Sequence, residues 1–141
     1  MSDSKAQYSS GVAGQKALAQ LDAELKQKLD RASERKAKYK PNWQTVNIND
    51  LVDRFAPGST AQIEGSKITF QADGSDLQIV CDVEAGSCRL KDTTNPTRRP
   101  YLDINGNPVG NKILPGGKQS GRSKAEYNEL THFRILKREE M

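Results

Sequence analysis

Apolar residues recur at helical spacing in the N-terminal part of the chain. Residues 12–38 contain no proline, and leucines follow one another there at intervals of three or four residues, at Leu18, Leu21, Leu25 and Leu29. This spacing aligns them on one face of a helix and leaves charged residues on the others. Pro41 restricts the residue before it and predicts the helix end. So narrow a stripe leaves three arrangements open: docking on a partner surface, pairing with another helix, or a loosely attached arm.

Alternation with a period of two replaces the helical spacing after Pro41. A short helix with an Asn47 cap is predicted over residues 47–55. Strand-like runs separated by turn residues then follow at 67–71, 77–83, 87–90 and 101–103. Their order predicts a hairpin meander.

The C-terminal third begins with a loop rich in Gly, Pro and Lys over residues 106–122. Ser123 and Glu126 have the spacing of a capping box and predict a helix through Leu130, and residues 131–137 are predicted to form a closing strand. The fold class is therefore α+β, with an N-terminal helical region packed on or preceding a twisted antiparallel sheet. We divide the chain into a helical arm at residues 1–40 and a domain at residues 41–141.

Charge is unevenly distributed along the chain. Lys and Arg outnumber Asp and Glu by nine to five in residues 1–40 and again in residues 95–141, whereas acids outnumber bases by eight to four between them. Two basic ends favour a polyanionic partner through counterion release and steering. With a formal net charge of only +4, a merely well-solvated surface is an equally simple interpretation.

Composition excludes several classes of protein. No apolar run approaches the roughly 20 residues needed to span a bilayer, so stable membrane insertion is not expected. Residues 1–10 lack the apolar stretch of a cleavable secretory signal. One histidine and two cysteines are too few for zinc fingers or zinc deaminases, and no cofactor is expected.

The two cysteines lie on opposite arms of a predicted hairpin. A two-residue loop at Glu84 and Ala85 would place Cys81 directly opposite Cys88, within reach of a disulfide. The alternative is two small half-buried thiols, because a bridge needs an oxidising compartment. No histidine or cation is held beside either thiol, which argues against thiol catalysis.

The predicted closing strand carries the candidate chemistry. Alternation directs Phe133 and Ile135 to the core and leaves His132 and Arg134 on an open or partly covered sheet surface. An imidazole moves protons near neutral pH, and a guanidinium stabilises charge growing on phosphate oxygens. The preceding segment adds further cations and hydroxyls, namely Lys118, Arg122, Lys124, Ser120, Ser123 and Thr131. These groups suffice for phosphodiester transfer, although a surface histidine without a role is the simpler alternative.

The choice of nucleophile points to RNA. Metal-assisted nucleases need clustered carboxylates or histidines, and the acids of residues 95–141 show no ligand spacing. Without a metal, the available nucleophile is the ribose 2′-hydroxyl. Attack by this hydroxyl, with His132 as general base or acid, leaves a 2′,3′-cyclic phosphate and a 5′-hydroxyl. DNA lacks the hydroxyl and is not cut.

The C-terminal part of the chain resembles a group of bacterial toxins. The residues that carry the likeness are the run from Arg99 to Asn107, the Gly/Lys loop, Glu126-Tyr127 and the run from Thr131 to Ile135. They resemble the C-terminal toxin domains of contact-dependent growth inhibition and Rhs-type polymorphic toxins. The likeness covers roughly residues 45–138 and is strongest over 99–138. It implies the fold shared by barnase, EndoU, colicin and RelE nucleases, and a ribonuclease activity often directed at transfer RNA.

The resemblance also implies roles, partners and a location. His132 matches the expected catalytic histidine, and Arg134 or Thr131 matches the phosphate contacts. Weaker matches to substrate-binding residues are Lys118, Arg122 and Lys124. The implied partners are a cognate immunity protein, often acidic, and possible host activating factors. The toxin would be secreted as the tip of a larger protein and delivered into the cytoplasm of a target bacterium.

Two other functions stay open on the sequence alone. One is a metal-dependent DNase toxin that uses the acidic middle of the chain, at Asp73, Asp76, Asp82 and Glu84. The other is a non-enzymatic module that binds nucleic acid or protein. The aromatic residues do not decide between these functions. Tyr101 and Tyr127 could stack on bases, but packing inside the protein is the commoner use of such residues. Trp43 is expected to anchor the helical arm on the domain.

Overall fold

A computed structural model describes residues 23–137, and within that range the α+β fold is confirmed. The helices are α1 (Ala23–Tyr39), α2 (Ile48–Phe55) and α3 (Lys124–Thr131). The strands are β1 (Gln44–Val46), β2 (Gln62–Glu64), β3 (Lys67–Phe70), β4 (Leu77–Asp82), β5 (Ser87–Asp92), β6 (Tyr101–Leu102), β7 (Lys112–Ile113), β8 (Gln119–Ser120) and β9 (Phe133–Ile135). None of the helices within residues 23–137 is long and apolar enough to cross a bilayer.

The main sheet is mixed rather than wholly antiparallel. Its order is β1-β9-β5-β4-β3-β2, and β6 pairs with β5 outside this path. Every pairing is antiparallel except that of β1 with β9, which is parallel. The sequence did not predict β1, because a three-residue strand whose partner lies 89 positions away leaves no local pattern.

One face of the sheet forms the hydrophobic core together with α2. Phe70, Ile79, Leu90 and Phe133 alternate onto this inner face and are fully buried. As predicted, Asn47 caps α2, and its side chain accepts hydrogen bonds from two backbone N–H groups of the first turn. Each fully buried large side chain contributes roughly 1.5–3 kcal/mol to folding, so this layer holds the sheet in shape.

Helix α1 docks on the sheet of its own chain. Of the predicted leucine stripe, Leu18 and Leu21 lie outside the described residues, while Leu29 is buried in the core cluster. The helix contacts β9 and approaches the turn between β4 and β5 so closely that a Cβ on Gly86 would lie 2.7 Å from the backbone of Ala32. The arm is therefore neither loose nor, over this length, paired with a second helix. The boundary between residues 40 and 41 stays a prediction.

The β4–β5 hairpin pairs the two cysteines. Cys81 lies opposite Cys88, and their sulfur atoms are bonded to each other. Strand pairing ends at Asp82 and Ser87, so the turn has four residues instead of the two expected, with the same register. The Asp82 carboxylate accepts hydrogen bonds from the backbone N–H groups of Glu84 and Ala85, which fixes this turn.

The segment of residues 106–122 contains a small two-stranded ribbon of β7 and β8 within the predicted loop. The helix that follows, α3, begins with the predicted capping box: the side chain of Ser123 accepts from the N–H of Glu126, and Glu126 accepts from the N–H of Ser123. Lys112 of the ribbon bonds to the Glu126 carboxylate and is the main reason why the pKa of Glu126 falls to about 2. The ribbon is thus tied to the start of α3.

Candidate functional site

Sheet register places Trp43, His132 and Arg89 in one row on the outer face of the sheet. Gln44 of β1 pairs with Phe133 of β9, so one step back along both strands sets Trp43 beside His132. Phe133 also pairs with Cys88 of β5, and the next step along that antiparallel register brings Arg89 opposite His132. Because side chains alternate along strands, all three point away from the core face that Phe133 occupies.

His132 is held at the junction of α3 and β9. It is the C-cap of α3 rather than a strand residue, and its ring is half-buried. Its Nδ1 lies 3.0 Å from the carbonyl oxygen of Asn128. A carbonyl can only accept, so this hydrogen bond assigns the proton to Nδ1 and leaves the lone pair on Nε2. Neutral His132 is therefore oriented to accept a proton at Nε2.

The pKa of His132 is lowered from 6.5 to about 4. Burial is the largest cause because it disfavours the charged ring, and the positive charges of Arg89 and Lys36 add to it. The hydrogen bond to Asn128 acts in the opposite direction. At neutral pH the imidazole is uncharged, which suits a general base and not a general acid.

Trp43 covers the imidazole on one side of the row. Its indole stacks on the ring of His132, and the ammonium of Lys36 from α1 lies 4.8 Å from the centroid of the Trp43 ring. This contact agrees with the expectation that Trp43 anchors the helix, and it also makes Trp43 part of the wall of the site. Lys36 brings a cation from the N-terminal helix to within electrostatic reach of His132.

Arg89 continues the row on the other side of His132. Its guanidinium carbon lies 3.3 Å from the centroid of the Tyr101 ring. The hydroxyl of Tyr127 holds Tyr101 in place, since it accepts from the Tyr101 N–H at 2.8 Å and donates to the Tyr101 carbonyl at 3.1 Å. Arg99 extends the pattern, with its guanidinium 4.9 Å from the Tyr127 ring. Lys36, Arg89 and Arg99 thus each lie against an aromatic ring in this region.

Two of the predicted site residues are engaged in structural contacts. Thr131 is fully buried, and its hydroxyl donates to the carbonyl of Tyr127 at 2.9 Å. Arg134 shares the outer face with His132, but its guanidinium donates at 2.7 Å to the hydroxyl of Ser33, a buried residue of α1. Arg134 therefore ties the helix to β9 in this arrangement.

The predicted substrate-binding residues are scattered. Tyr101 lies in the row beside Arg89, and Tyr127 supports it from below as a buried residue. Arg122 donates to the carbonyl of Gly110 at 2.7 Å, and Lys118 sits in the turn of the β7–β8 ribbon. Lys124 begins α3, about 12 Å from His132 along the helix axis. Of these five, Tyr101 is the one that the fold brings into the row.

The acidic residues considered for a metal site do not converge. Asp82 supports its own turn, and Glu84 pairs with Lys28 of α1. In residues 23–137, no group of three His, Cys, Asp or Glu side chains is placed to hold an ion. A groove of about 680 Å³ does lie further along the outer face, but amides and hydroxyls such as Gln78 and Thr69 line it, and it does not reach His132.

Sequence reasoning missed Arg89 and Lys36. Arg89 lies 43 positions from His132 in the sequence and comes to lie beside it only through β5–β9 pairing, which no local pattern records. One signal was available: Cys88 and Leu90 are inward-facing neighbours, so strand alternation turns Arg89 outwards. Comparisons with protein families, with curated proteins and with solved structures found no match to this chain.

Proposed function

We propose that this protein is a metal-independent endoribonuclease of the bacterial toxin type. The observation that supports it best is the neutral imidazole of His132, oriented by Asn128 and set between Trp43 and Arg89. A proton acceptor beside a cation on an aromatic-lined surface fits the binding and cleavage of an RNA strand.

In the proposed reaction, Nε2 of His132 accepts the proton of a ribose 2′-hydroxyl. The 2′-oxygen then forms a bond to phosphorus, and the bond from phosphorus to the 5′-oxygen breaks. The leaving 5′-oxygen takes its proton from water, because His132 is uncharged before the step. The products are a 2′,3′-cyclic phosphate and a 5′-hydroxyl. Nearby cations stabilise the charge that grows on the phosphate oxygens.

The biological setting of this proposal rests on the resemblance described for residues 45–138. Transfer RNA is the proposed substrate, and an acidic immunity protein is the proposed inhibitor of the basic face. Release from the tip of a larger secreted protein and delivery into a target bacterium belong to the same proposal, as does the possible need for a host activating factor.

Cleavage of RNA in EDTA tests the activity. We expect products with 2′,3′-cyclic phosphate ends, resistance of a substrate with 2′-deoxyribose at the cut position, and loss of cleavage in His132→Gln. Folding of that variant is checked by circular dichroism and by the fluorescence of Trp43, the one tryptophan of the chain. Cleavage that persists in folded His132→Gln, or that needs magnesium, would overturn the mechanism.

One observation favours a second candidate, an RNA-binding module without turnover. A base with a pKa of about 4 has little driving force for proton transfer. Binding of single-stranded RNA at a fixed stoichiometry, with intact RNA recovered after long incubation, would select this function.

A further inference from the structure

We propose that Arg89, held flat against Tyr101, is an anion-binding residue that takes a phosphate group beside His132. This inference deepens the proposed function and rests on it for the identity of the natural ligand, a phosphodiester of RNA. The binding site itself rests on contacts that can be tested with inorganic phosphate.

Arg89 is a half-buried cation. Within residues 23–137 it forms no ion pair, unlike Lys28, Lys112 and Lys137. Its Nε is buried and meets no hydrogen-bond acceptor in the described part of the chain. A buried donor without an acceptor costs roughly 1–3 kcal/mol, and more when it is charged. An anion bound at the exposed part of the guanidinium would supply the missing countercharge to this partly desolvated group.

The stacking contact prepares the guanidinium for this task. The Tyr101 ring centroid lies 3.3 Å from the guanidinium carbon, so the ring restricts the movement of the group without using its N–H groups as hydrogen-bond donors. Tyr101 is in turn held by two hydrogen bonds to Tyr127. An arginine fixed in this way loses little side-chain entropy when it binds two oxygens of one phosphate.

The position of Arg89 relative to His132 fits a phosphate between them. His132 directly precedes β9, and continuing the β5–β9 register by one residue beyond the Cys88–Phe133 pair sets it opposite Arg89 on the outer side of the sheet, a relationship in which Cβ atoms are typically about 5 Å apart. The positive charge of Arg89 already acts on the imidazole. A phosphate held by Arg89 would therefore lie within reach of a nucleophile that His132 deprotonates.

Nuclear magnetic resonance of the one histidine in the chain provides the test. The pKa of His132 is measured with sodium phosphate and, as a control, with sodium chloride at equal ionic strength. Phosphate is expected to raise the pKa in the wild-type protein, because it neutralises Arg89. In Arg89→Gln the pKa should start higher and should not respond to phosphate, and Arg89→Lys should respond only at higher concentration.

Arg54 offers a matched control. It also stacks on an aromatic ring, that of Phe55 at 4.8 Å, but it belongs to α2 on the core side of the sheet. Arg54→Gln removes the same charge and should leave the phosphate response unchanged. An unchanged pKa in wild-type protein with phosphate, or an equal rise in Arg89→Gln, would overturn the inference.

The same variants separate this inference from the proposed function. We expect Arg89→Gln to lower RNA cleavage about 100-fold. A phosphate response that depends on Arg89, in a protein that cuts no RNA, would keep the anion site and reject the ribonuclease. Cleavage at the wild-type rate by folded Arg89→Gln would reject the anion site and keep the ribonuclease.

Discussion

The indole of Trp43 stacks on the imidazole of His132 with ring centroids 4.8 Å apart and ring planes inclined by 25°. The contact joins the first strand of the sheet to the last, because Trp43 directly precedes β1 and His132 directly precedes β9. It also removes water from one face of the candidate base. The chemistry of His132 therefore depends on a residue that lies far away in the sequence.

Opening this stack should change the titration of His132. Because burial is the main cause of its low pKa, Trp43→Ala should admit water and move the pKa from about 4 back towards 6.5. The measurement is a proton resonance titration of the imidazole. Tyr39→Ala, an exposed aromatic on the same helix as Lys36, is the control and should leave the value unchanged. A wild-type pKa near 6.5 would contradict the prediction.

The low pKa of His132 also predicts how stability depends on pH. Between about 4 and 6.5 the unfolded chain binds a proton at this residue and the folded protein does not. The contribution of His132 to the free energy of unfolding is therefore fully present above pH 6.5 and is lost as the pH falls towards 4. In this range the free energy of unfolding should rise with pH by up to roughly 1.4 kcal/mol per pH unit. Urea denaturation of wild type and His132→Gln tests this, and equal slopes would count against it.

Because α1 approaches Gly86 so closely, adding a single methyl group at this residue should lower the stability of the fold strongly. Gly86 has a positive φ of 71°, and its added Cβ would meet the backbone of Ala32 at 2.7 Å. Gly74 has a similar φ of 76°, but its Cβ would meet nothing within 4 Å. Gly74→Ala should lower the free energy of unfolding by about 1–2 kcal/mol through backbone strain alone. Gly86→Ala should carry the same strain and lose about 1–3 kcal/mol more through overpacking.

Chemical denaturation of the two glycine variants gives the difference directly. The difference isolates the helix contact, since both substitutions strain the backbone in the same way. Equal losses of stability would show that α1 does not rest on this turn.

The hydrogen bond from Arg134 to Ser33 is predicted to couple β9 to α1. Ser33 is fully buried and the donor is charged, so a double-mutant cycle with Ser33→Ala and Arg134→Lys should give a coupling of about 1.5–3 kcal/mol. The ion pair of Lys137 with Glu34, at 3.1 Å, joins α1 to the segment that follows β9. Its coupling should stay below about 1 kcal/mol. A ranking in the opposite order would refute the assigned role of Arg134.

Local sequence patterns predicted the elements whose stabilising groups are close together along the chain. The Asn47 cap, the Ser123 capping box and the cysteine register all depend on residues within seven positions of one another. By contrast, β1 depends on pairing with β9 across 89 positions, and no local signal records that partner. The short strand β2 was also missed, because its three residues are all exposed and show no alternation.

The candidate site was predicted only in part for the same reason. His132 was found because its neighbours Phe133 and Ile135 define which face is buried. Strand alternation placed Arg134 beside His132, and the toxin resemblance gave Arg134 and Thr131 phosphate contacts, yet the fold directs one to Ser33 and the other into the interior. Arg89 and Lys36 reach His132 through strand pairing and helix docking, which depend on the whole sheet.

The parallel pairing of β1 with β9 determines when the row of Trp43, His132 and Arg89 can form during folding. A growing or extended chain keeps Trp43 and His132 far apart, so the row of side chains exists only after segments from both ends of the described range have met. Any passage through a narrow opening that extends the chain would dismantle the row as a unit. The row would form again only after β1 and β9 had paired.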